Sequence, residues 1–225
     1  MTSFDTTISA PMEDIMDVLV IGGGNAALCA GITAREAGAT VIMLESSPQV
    51  FRGGNSRHTR NIRYLHQTGN EFLTGPYMGD EFWQDLLMVT KGNTREELAR
   101  FAIRESESIG PWMRDHGAMF QPAMRGTLHL SRTNAFFLGG GKALMNTYYA
   151  VAEKLGVIIR YNAEAHDIDI QDGRFVQATV IQDGIRYAIR ARARPGIRGL
   201  SGQPGVAAGI VGASGRQFHC PGNAV

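Results

Sequence analysis

The sequence predicts an α/β fold of the Rossmann type, extended by a helical insertion and a small β-meander. Three observations carry that prediction. Asp17 to Glu45, DVLVIGGGNAALCAGITAREAGATVIMLE, runs strand, glycine turn, helix, strand, acid. Glu81 to Lys91 and Thr94 to His116 carry apolar residues at helical spacing. Four stretches between Val157 and Arg192 alternate in polarity as strands do, and two of their links end in Asp-Gly.

Asp17-Val18-Leu19-Val20-Ile21 is an apolar run long enough for one buried strand. Gly22-x-Gly24-x-x-Ala27 follows at once. Gly22 permits a turn that a side chain would obstruct. Gly24 lets the backbone approach a pyrophosphate, and Ala27 is small enough for close helix–strand packing. Asn25 to Ala37 is rich in Ala and Leu and is closed by Gly38, as a helix should be. Its first turn, which begins Asn25-Ala26, would present free N–H groups and a partial positive charge to the phosphates. Thr40 to Leu44 is a second apolar strand with Glu45 at its end. Glu45 lies roughly 20 residues beyond the glycines, where a carboxylate accepts hydrogen bonds from a ribose diol. Its charge would repel a 2′-phosphate, which argues against NADP. The alternative, a glycine-rich turn in some other α/β protein, makes the position of Glu45 an accident.

Ser46 to Arg63, SSPQVFRGGNSRHTRNIR, is a polar, basic loop with Gly53-Gly54 at its middle. Adjacent glycines let a backbone lie flat against something large, and Asn55, Ser56, His58 and Thr59 can hydrogen-bond the rim of a heterocycle. A solvated basic loop is the other reading. In the two helical stretches, Trp83, Leu86, Leu87, Phe101 and Ile103 read as core, with a break near Gly110-Pro111 and a capping box from Thr94 to Glu97. Thr127 to Leu138 reads as an extended segment. Within it Arg132 is either a partner for a substrate carboxylate or an ordinary surface arginine, and His129 reads as a satisfied polar residue. Gly139-Gly140-Gly141-Lys142 then opens a helix from Ala143 to Leu155. It is no P-loop, because no hydroxyl residue follows the lysine and no buried strand leads in.

Val157 to Tyr161, Glu164 to Ile170, Arg174 to Ile181 and Ile185 to Arg192 are expected as a small antiparallel meander, joined at Asp172-Gly173 and Asp183-Gly184. From Pro195 to Val225 glycine recurs every few residues, no period is visible and no acid occurs, which reads as a poorly folded tail. Residues 1–14 hold three acids and no apolar run, so they are expected to be a disordered leader rather than a targeting peptide, with Met12 or Met16 as alternative starts. The organisation expected is thus leader 1–14, one domain 15–194, and tail 195–225. At 225 residues with 44% hydrophobic residues, the chain can build a sizeable core. A net charge of +1 points to neither nucleic acid nor an acidic partner. Cys29 and Cys220 make neither a disulfide framework nor a metal site, and no stretch approaches the roughly 20 apolar residues of a membrane span. A soluble protein of the reduced cytoplasm is the default expectation.

VIGGGNAALCAGITAREAGATVIMLE, RGGNSRHTRN and GGGKALMNTYY together resemble the flavoprotein subunits of the fumarate reductase and succinate dehydrogenase family. RGGNSRHTRNIR, PWMRDHG, FQP and RTNAFFLGGGKAL are similar to its tricarballylate-dehydrogenating branch, and to a branch tied to precorrin-3B oxidation. The resemblance runs from Met16 to Arg192. It implies FAD, with Gly22, Gly24 and Ala27 at the pyrophosphate, Glu45 at the adenosine ribose, and Asn25, Ala26, Ser46 and Thr59 as further cofactor-binding positions. It further implies Gly53, Gly54, Asn55 and Ser56 along the isoalloxazine, and the backbone of Ala165 at the adenine. His58-Thr59 is similar to the pair that holds flavin covalently in membrane-bound relatives, whereas the preceding glycine pair matches soluble relatives with non-covalent FAD, the reading favoured.

The implied reaction is hydride transfer from a small tricarboxylate to flavin, tricarballylate to cis-aconitate, with Arg132 a candidate carboxylate partner. An Fe–S and haem partner in the membrane would take the electrons. A corrinoid precursor as substrate, or a non-catalytic flavin-binding module, are the alternatives. Family members are about twice as long; their capping domain with the catalytic residues, and the strand completing the FAD fold, have no counterpart in this sequence. Back-translated and read one nucleotide later, Pro195 to Gly199 can spell Leu-Ala-Ser-Gly-Gly, the missing turn. The expectation is therefore a frameshift near Arg194 and a truncated chain that turns over no substrate alone.

Overall fold

The computed structural model describes residues 16–123, 130–172, 174–190 and 210–212. The expected leader, His129, Gly173 and all of the tail except Ile210–Gly212 lie outside the described residues. The chain divides into two compact units, residues 1–54 with 152–225, and residues 55–151. The helical insertion expected within one domain is thus a unit of its own.

The first unit is built on a parallel sheet. β1 (Val18–Ile21) leads through α1 (Asn25–Glu36) to β2 (Val41–Leu44), and β1 and β2 pair in parallel from Val18↔Val41 to Ile21↔Leu44. Asp17 fixes the start of this pair: its Oδ2 accepts from the Thr40 N–H and the Thr40 hydroxyl, both at 2.8 Å. β5 (Ile158–Arg160) adds beside β2, also parallel. This corrects the sequence reading of Val157 to Tyr161 as a meander strand. β9 (Ile210–Gly212) lies parallel to β1 on the other side, giving the order β5-β2-β1-β9. The tail had offered no strand to sequence reasoning, and the sheet position thought empty is filled by these three residues.

β6 (Ala163–Gln171), β7 (Arg174–Gln182) and β8 (Ile185–Arg190) form the antiparallel meander. At the β7–β8 link Asp183 and Gly184 both have left-handed backbone, φ 50° and 81°, as a type I′ hairpin turn requires. Period-two alternation divides the parallel sheet into two faces. Leu19, Ile21, Ile42 and Leu44 form one buried cluster with Ala163, Ala178, Val180 and Ile189 of the meander. On the other face Gly31 of α1 approaches so closely that a Cβ there would lie 3.0 Å from Met43 Cε, and Leu28 and Ile32 are fully buried. The layers are therefore helix, parallel sheet, meander.

The second unit holds the two-stranded ladder of β3 (Asn61–Ile62) and β4 (Ala135–Phe136), and four helices. These are α2 (Gly79–Thr90), α3 (Glu96–Glu105), α4 (Ile109–Asp115) and α5 (Gly140–Lys154), the last running on into the first unit. Its core gathers Tyr64, Phe72, Leu73 and Ala135. Gly110 sits on the Tyr64 ring, where a Cβ would fall 2.6 Å from ring atoms. The helix break lies at Ser106–Ser108 rather than at Gly110-Pro111. Ser106 and Ser108 hydroxyls there bond back to the Ile103 and Glu105 carbonyls, and Pro111 fits the first turn of α4, where no N–H is needed. The Thr94 capping box does not form: α3 begins after an extended Arg95 with no side-chain cap. Trp83 and Ile103 are buried as expected, but Phe101 is 51% exposed. No helix among the described residues is long and apolar enough to cross a membrane.

Candidate functional site

β1 delivers the chain to Gly22, whose φ of 105° is open to glycine but strained for any side chain. The Gly22 N–H donates to Leu44 O at 2.7 Å, which ties the turn to the end of β2. Gly24 is the N-cap of α1, extended at φ −79° and ψ −176°. No side chain caps this helix and its first turn holds no acid. The N-cap thus supplies no side chain to the first amides of α1, which lie at the positive end of the helix dipole. Ala27 is fully buried against the sheet and Ala26 is exposed, so the turn presents backbone and one methyl group.

Glu45 follows β2 directly and is 5% exposed. Its Oε1 accepts from the Ser47 N–H at 2.8 Å and its Oε2 from the Gly53 N–H at 3.4 Å. One carboxyl group thus draws together both ends of the loop from Ser46 to Gly53, with the Ser46 side chain on the outside. The Glu45 backbone is fixed as well: its N–H donates to Arg160 O at 2.9 Å and its carbonyl accepts from Ala163 at 3.0 Å. Arg52 closes the same region by donating to the Tyr161 hydroxyl at 2.8 Å; burial nevertheless raises the Tyr161 pKa above its ordinary value. Gly53 is buried with φ 99° and Gly54 exposed with φ 49°.

Ala165 lies on β6, an edge strand of the meander. The ladder to β7 shifts register between Ala165 and Asp167, so that His166 has no residue opposite it in β7.

The model of the family described as "FAD binding domain" matches residues 17–199. The chain belongs to that family. The chain is 25% identical over 180 residues to a probable fumarate reductase of Shewanella frigidimarina, covering 77% of this chain and 30% of that protein. It is 33% identical over 113 residues to the digoxin reductase of Eggerthella lenta, covering 48% of this chain and 20% of that one. The chain thus spans less than a third of the length of these relatives. Among solved structures, 3-ketosteroid-delta4-(5alpha)-dehydrogenase from Rhodococcus jostii RHA1 superposes with a TM-score of 0.69 at 23% identity, over 83% of this chain and 46% of that one. The open form of a flavocytochrome c3 fumarate reductase gives 0.67 at 23% identity, over 82% and 33%. The fold is the FAD-binding domain of these flavoproteins.

The FAD-binding domain fits its cofactor by donor chemistry. Uncapped α1 amides behind Gly22 and Gly24 suit a pyrophosphate, and a buried carboxyl at the end of β2 suits a ribose diol. Cys29, inside α1, is no competitor for chemistry: burial pushes its thiol up to about 11, so the nucleophilic thiolate is scarce at neutral pH.

The second unit carries the remaining sequence candidates. Asn55 and Thr59 are exposed and Ser56 is half-buried, all on the tight turn before β3, while His58 is exposed at its end. Arg132 is engaged from both sides of its guanidinium: Nη1 donates to Glu81 Oε2 at 2.9 Å and to Pro76 O at 3.0 Å, and Nη2 donates to Glu81 Oε1. This hydrogen bonding holds the Glu81 carboxyl below its usual range. Sequence reasoning had seen the arginine and missed its carboxylate, because α2 supplies it from 51 residues away. It also missed Tyr77, which is fully buried and donates to Asp85 Oδ2 at 2.7 Å, with its phenol pushed up to about 12 by burial and then by Asp85. Arg63 joins Asp85 at 3.3 Å and Asn134 Oδ1 at 3.2 Å, so the cluster is internally neutralised.

Proposed function

We propose that this chain is the FAD-binding part of a dehydrogenase of the fumarate reductase and succinate dehydrogenase class, acting on a small tricarboxylate, tricarballylate, with cis-aconitate as product. Bound FAD supplies the acceptor for the hydride that leaves a substrate carbon. The chain's own residues hold and orient it. The turn at Gly22 and Gly24 and the first amides of α1, from Asn25 to Ala27, carry the pyrophosphate. Glu45 and Ser46 carry the adenosine ribose, and the Ala165 main chain meets the adenine. Gly53, Gly54, Asn55, Ser56 and Thr59 run along the isoalloxazine. Arg132 serves a substrate carboxylate by exchanging it for Glu81. The flavin is held without a covalent bond, His58 being exposed and the glycine pair leaving the ring room to lie flat. An Fe–S and haem protein at the membrane takes the electrons onward, and the reduced cytoplasm is the compartment, in keeping with the free thiol of Cys29.

The observation that carries this reading is the pairing of an uncapped α1 with a buried Glu45 at the end of the neighbouring strand. RTNAFFLGGGKAL and RGGNSRHTRN support the tricarboxylate branch. The named relatives are a fumarate reductase and a digoxin reductase, so substrate varies across the family and rests on that finer likeness. The test is a titration of the purified chain with FAD, followed by acid precipitation and by anaerobic addition of tricarballylate to the loaded protein. FAD uptake and release of flavin to the acid supernatant are expected, and the visible band of the chain alone is expected to persist with tricarballylate, since no turnover is expected of it. A chain that ignores FAD refutes the site. Flavin kept in the pellet refutes the non-covalent assignment. A band that bleaches with a corrinoid precursor and not with tricarballylate refutes the substrate.

A further inference from the structure

We infer that the glycine run at the start of α5 is a positioning clamp for the turn Asn55–Thr59, which the proposed function places along the flavin and on which this inference rests. Gly139-Gly140-Gly141 is no phosphate loop, and no step of the proposed function uses it. The structure gives it a role. Gly139 and Gly140 have φ of 79° and 69°, two successive left-handed residues that swing the chain from β4 into α5. The Gly141 N–H then donates to Thr59 O at 2.7 Å. That amide is spent on a carbonyl, so this helix start has a protein partner where a phosphate loop would have an anion. A Cβ on Gly141 would fall 2.2 Å from Ser56 O and 2.6 Å from Thr59 Oγ1. The first of these is main chain and cannot rotate aside.

The turn is also closed from within. The Thr59 hydroxyl donates to Ser56 O at 2.7 Å and the Thr59 N–H to the same oxygen at 3.3 Å. Immediately beyond it the chain is locked: Phe137 N–H donates to Arg60 O at 2.9 Å, and Asn61 and Ile62 pair with Phe136 and Ala135. A push at residue 141 therefore cannot be relieved toward β3. It is taken up at Asn55 and Ser56, the side that faces the cofactor in the proposed reading. Gly141 is the positioning residue: through Thr59 O and Ser56 O it sets where the turn's polar edge stands.

The experiment compares Gly141→Ala with Gly38→Ala. Gly38 has φ 86° and nothing within 4 Å of an added Cβ, so it introduces backbone strain without collision. Measured are FAD affinity by fluorescence quenching, the position of the visible flavin band, the midpoint potential, and amide hydrogen exchange over residues 55–59. Gly141→Ala is expected to weaken FAD at least about tenfold, to shift band and potential, and to speed exchange in the turn. Gly38→Ala is expected to lose thermal stability while keeping affinity, band and potential. A Gly141→Ala chain with the original affinity, band and potential overturns the clamp. If Gly141→Ala does not fold, Thr59→Val decides: it removes the inner closure and must speed exchange over residues 55–59, and unchanged exchange there overturns the proposal. Should the unsubstituted chain take up no FAD, the functional reading falls by itself. Exchange then judges the clamp alone, and unchanged protection of residues 55–59 in Gly141→Ala, or in Thr59→Val where that variant fails to fold, refutes it.

Discussion

Replacing Glu45 by Gln removes one charge from a group that is 5% exposed and keeps its shape. The glutamine oxygen can still accept from Ser47 N–H, the shorter bond at 2.8 Å, but its NH₂ then confronts the Gly53 N–H, which had an acceptor at 3.4 Å. A neutral bond replaces a charge-assisted one, and one long contact is lost, so the loop from Ser46 to Gly53 should weaken by about 1 kcal/mol. In a chain of this size that lowers Tm by roughly 2–4 °C. The larger effect falls on the nucleotide. Bonds from a ribose diol to a buried carboxylate are worth about 1.5–3 kcal/mol, which corresponds to roughly 10- to 100-fold in affinity. The assay is fluorescence titration with FAD and, in parallel, with FMN, which lacks the adenosine ribose. FAD should weaken by one to two orders of magnitude and FMN only by the few-fold that the loosened loop costs. Equal losses for both ligands, or no loss for FAD, would refute the assignment of Glu45 to the ribose.

Other expectations follow from the same geometry. Gly22→Ala must force a side chain into φ 105°; a loss of about 1–3 kcal/mol in unfolding free energy is expected together with loss of FAD uptake, and a stable variant that still binds FAD contradicts the turn's role. The Glu81–Arg132 pair is about 40% exposed on both sides, so screening limits it to about 1 kcal/mol. Because the folded Glu81 pKa is depressed, its contribution is fully present above the ordinary carboxylate range and is lost as pH falls through the folded value. Chemical denaturation should show that acid-side loss in the parent and less of it in Glu81→Gln. Cys29 should resist thiol reagents at pH 8 in a Cys220→Ser background, since its pKa is raised to about 11; prompt labelling would show that α1 opens readily.

The parts of the fold that sequence made legible are those whose signals are local. The βαβ unit, the glycine turn and Glu45 lie within one short span, and hydrophobic period, glycine and acid agree there. The Asp183-Gly184 hairpin was readable for the same reason. β5 was misplaced because it is the edge of a parallel sheet: Ile158 is 39% exposed, so the strand alternates as a half-exposed meander strand would, and only its partner, Ile42↔Ile158, distinguishes the two. Thr94 offered good capping chemistry, but its N–H is drawn to Gly92 O in the preceding turn, and the helix starts later. Phe101 looked like core because helical spacing identifies a face without identifying what covers it. Of the candidate site, the glycine turn at Gly22 and the carboxyl of Glu45 at the end of β2 were legible as features. The engagement of Arg132 with Glu81, and of Gly141 with Thr59, were not, because each joins residues far apart in the chain.

β9 bears on how the chain behaves in a crowded solution. Its three residues, Ile210–Gly212, cover the side of β1 that points away from β2. Without them the most apolar strand of the molecule would stand at a sheet border with a row of unsatisfied main-chain groups, a template for pairing with any extended chain nearby. The safeguard comes from a stretch whose composition promised no structure. Removing it should change colloidal behaviour before it changes thermal stability: a chain stopped after Arg190 is expected to scatter light and bind amyloid dyes at concentrations where the whole chain stays clear. The glycine-rich stretch beyond Arg190, which carries β9, would then separate a protein that remains dispersed from one that polymerises.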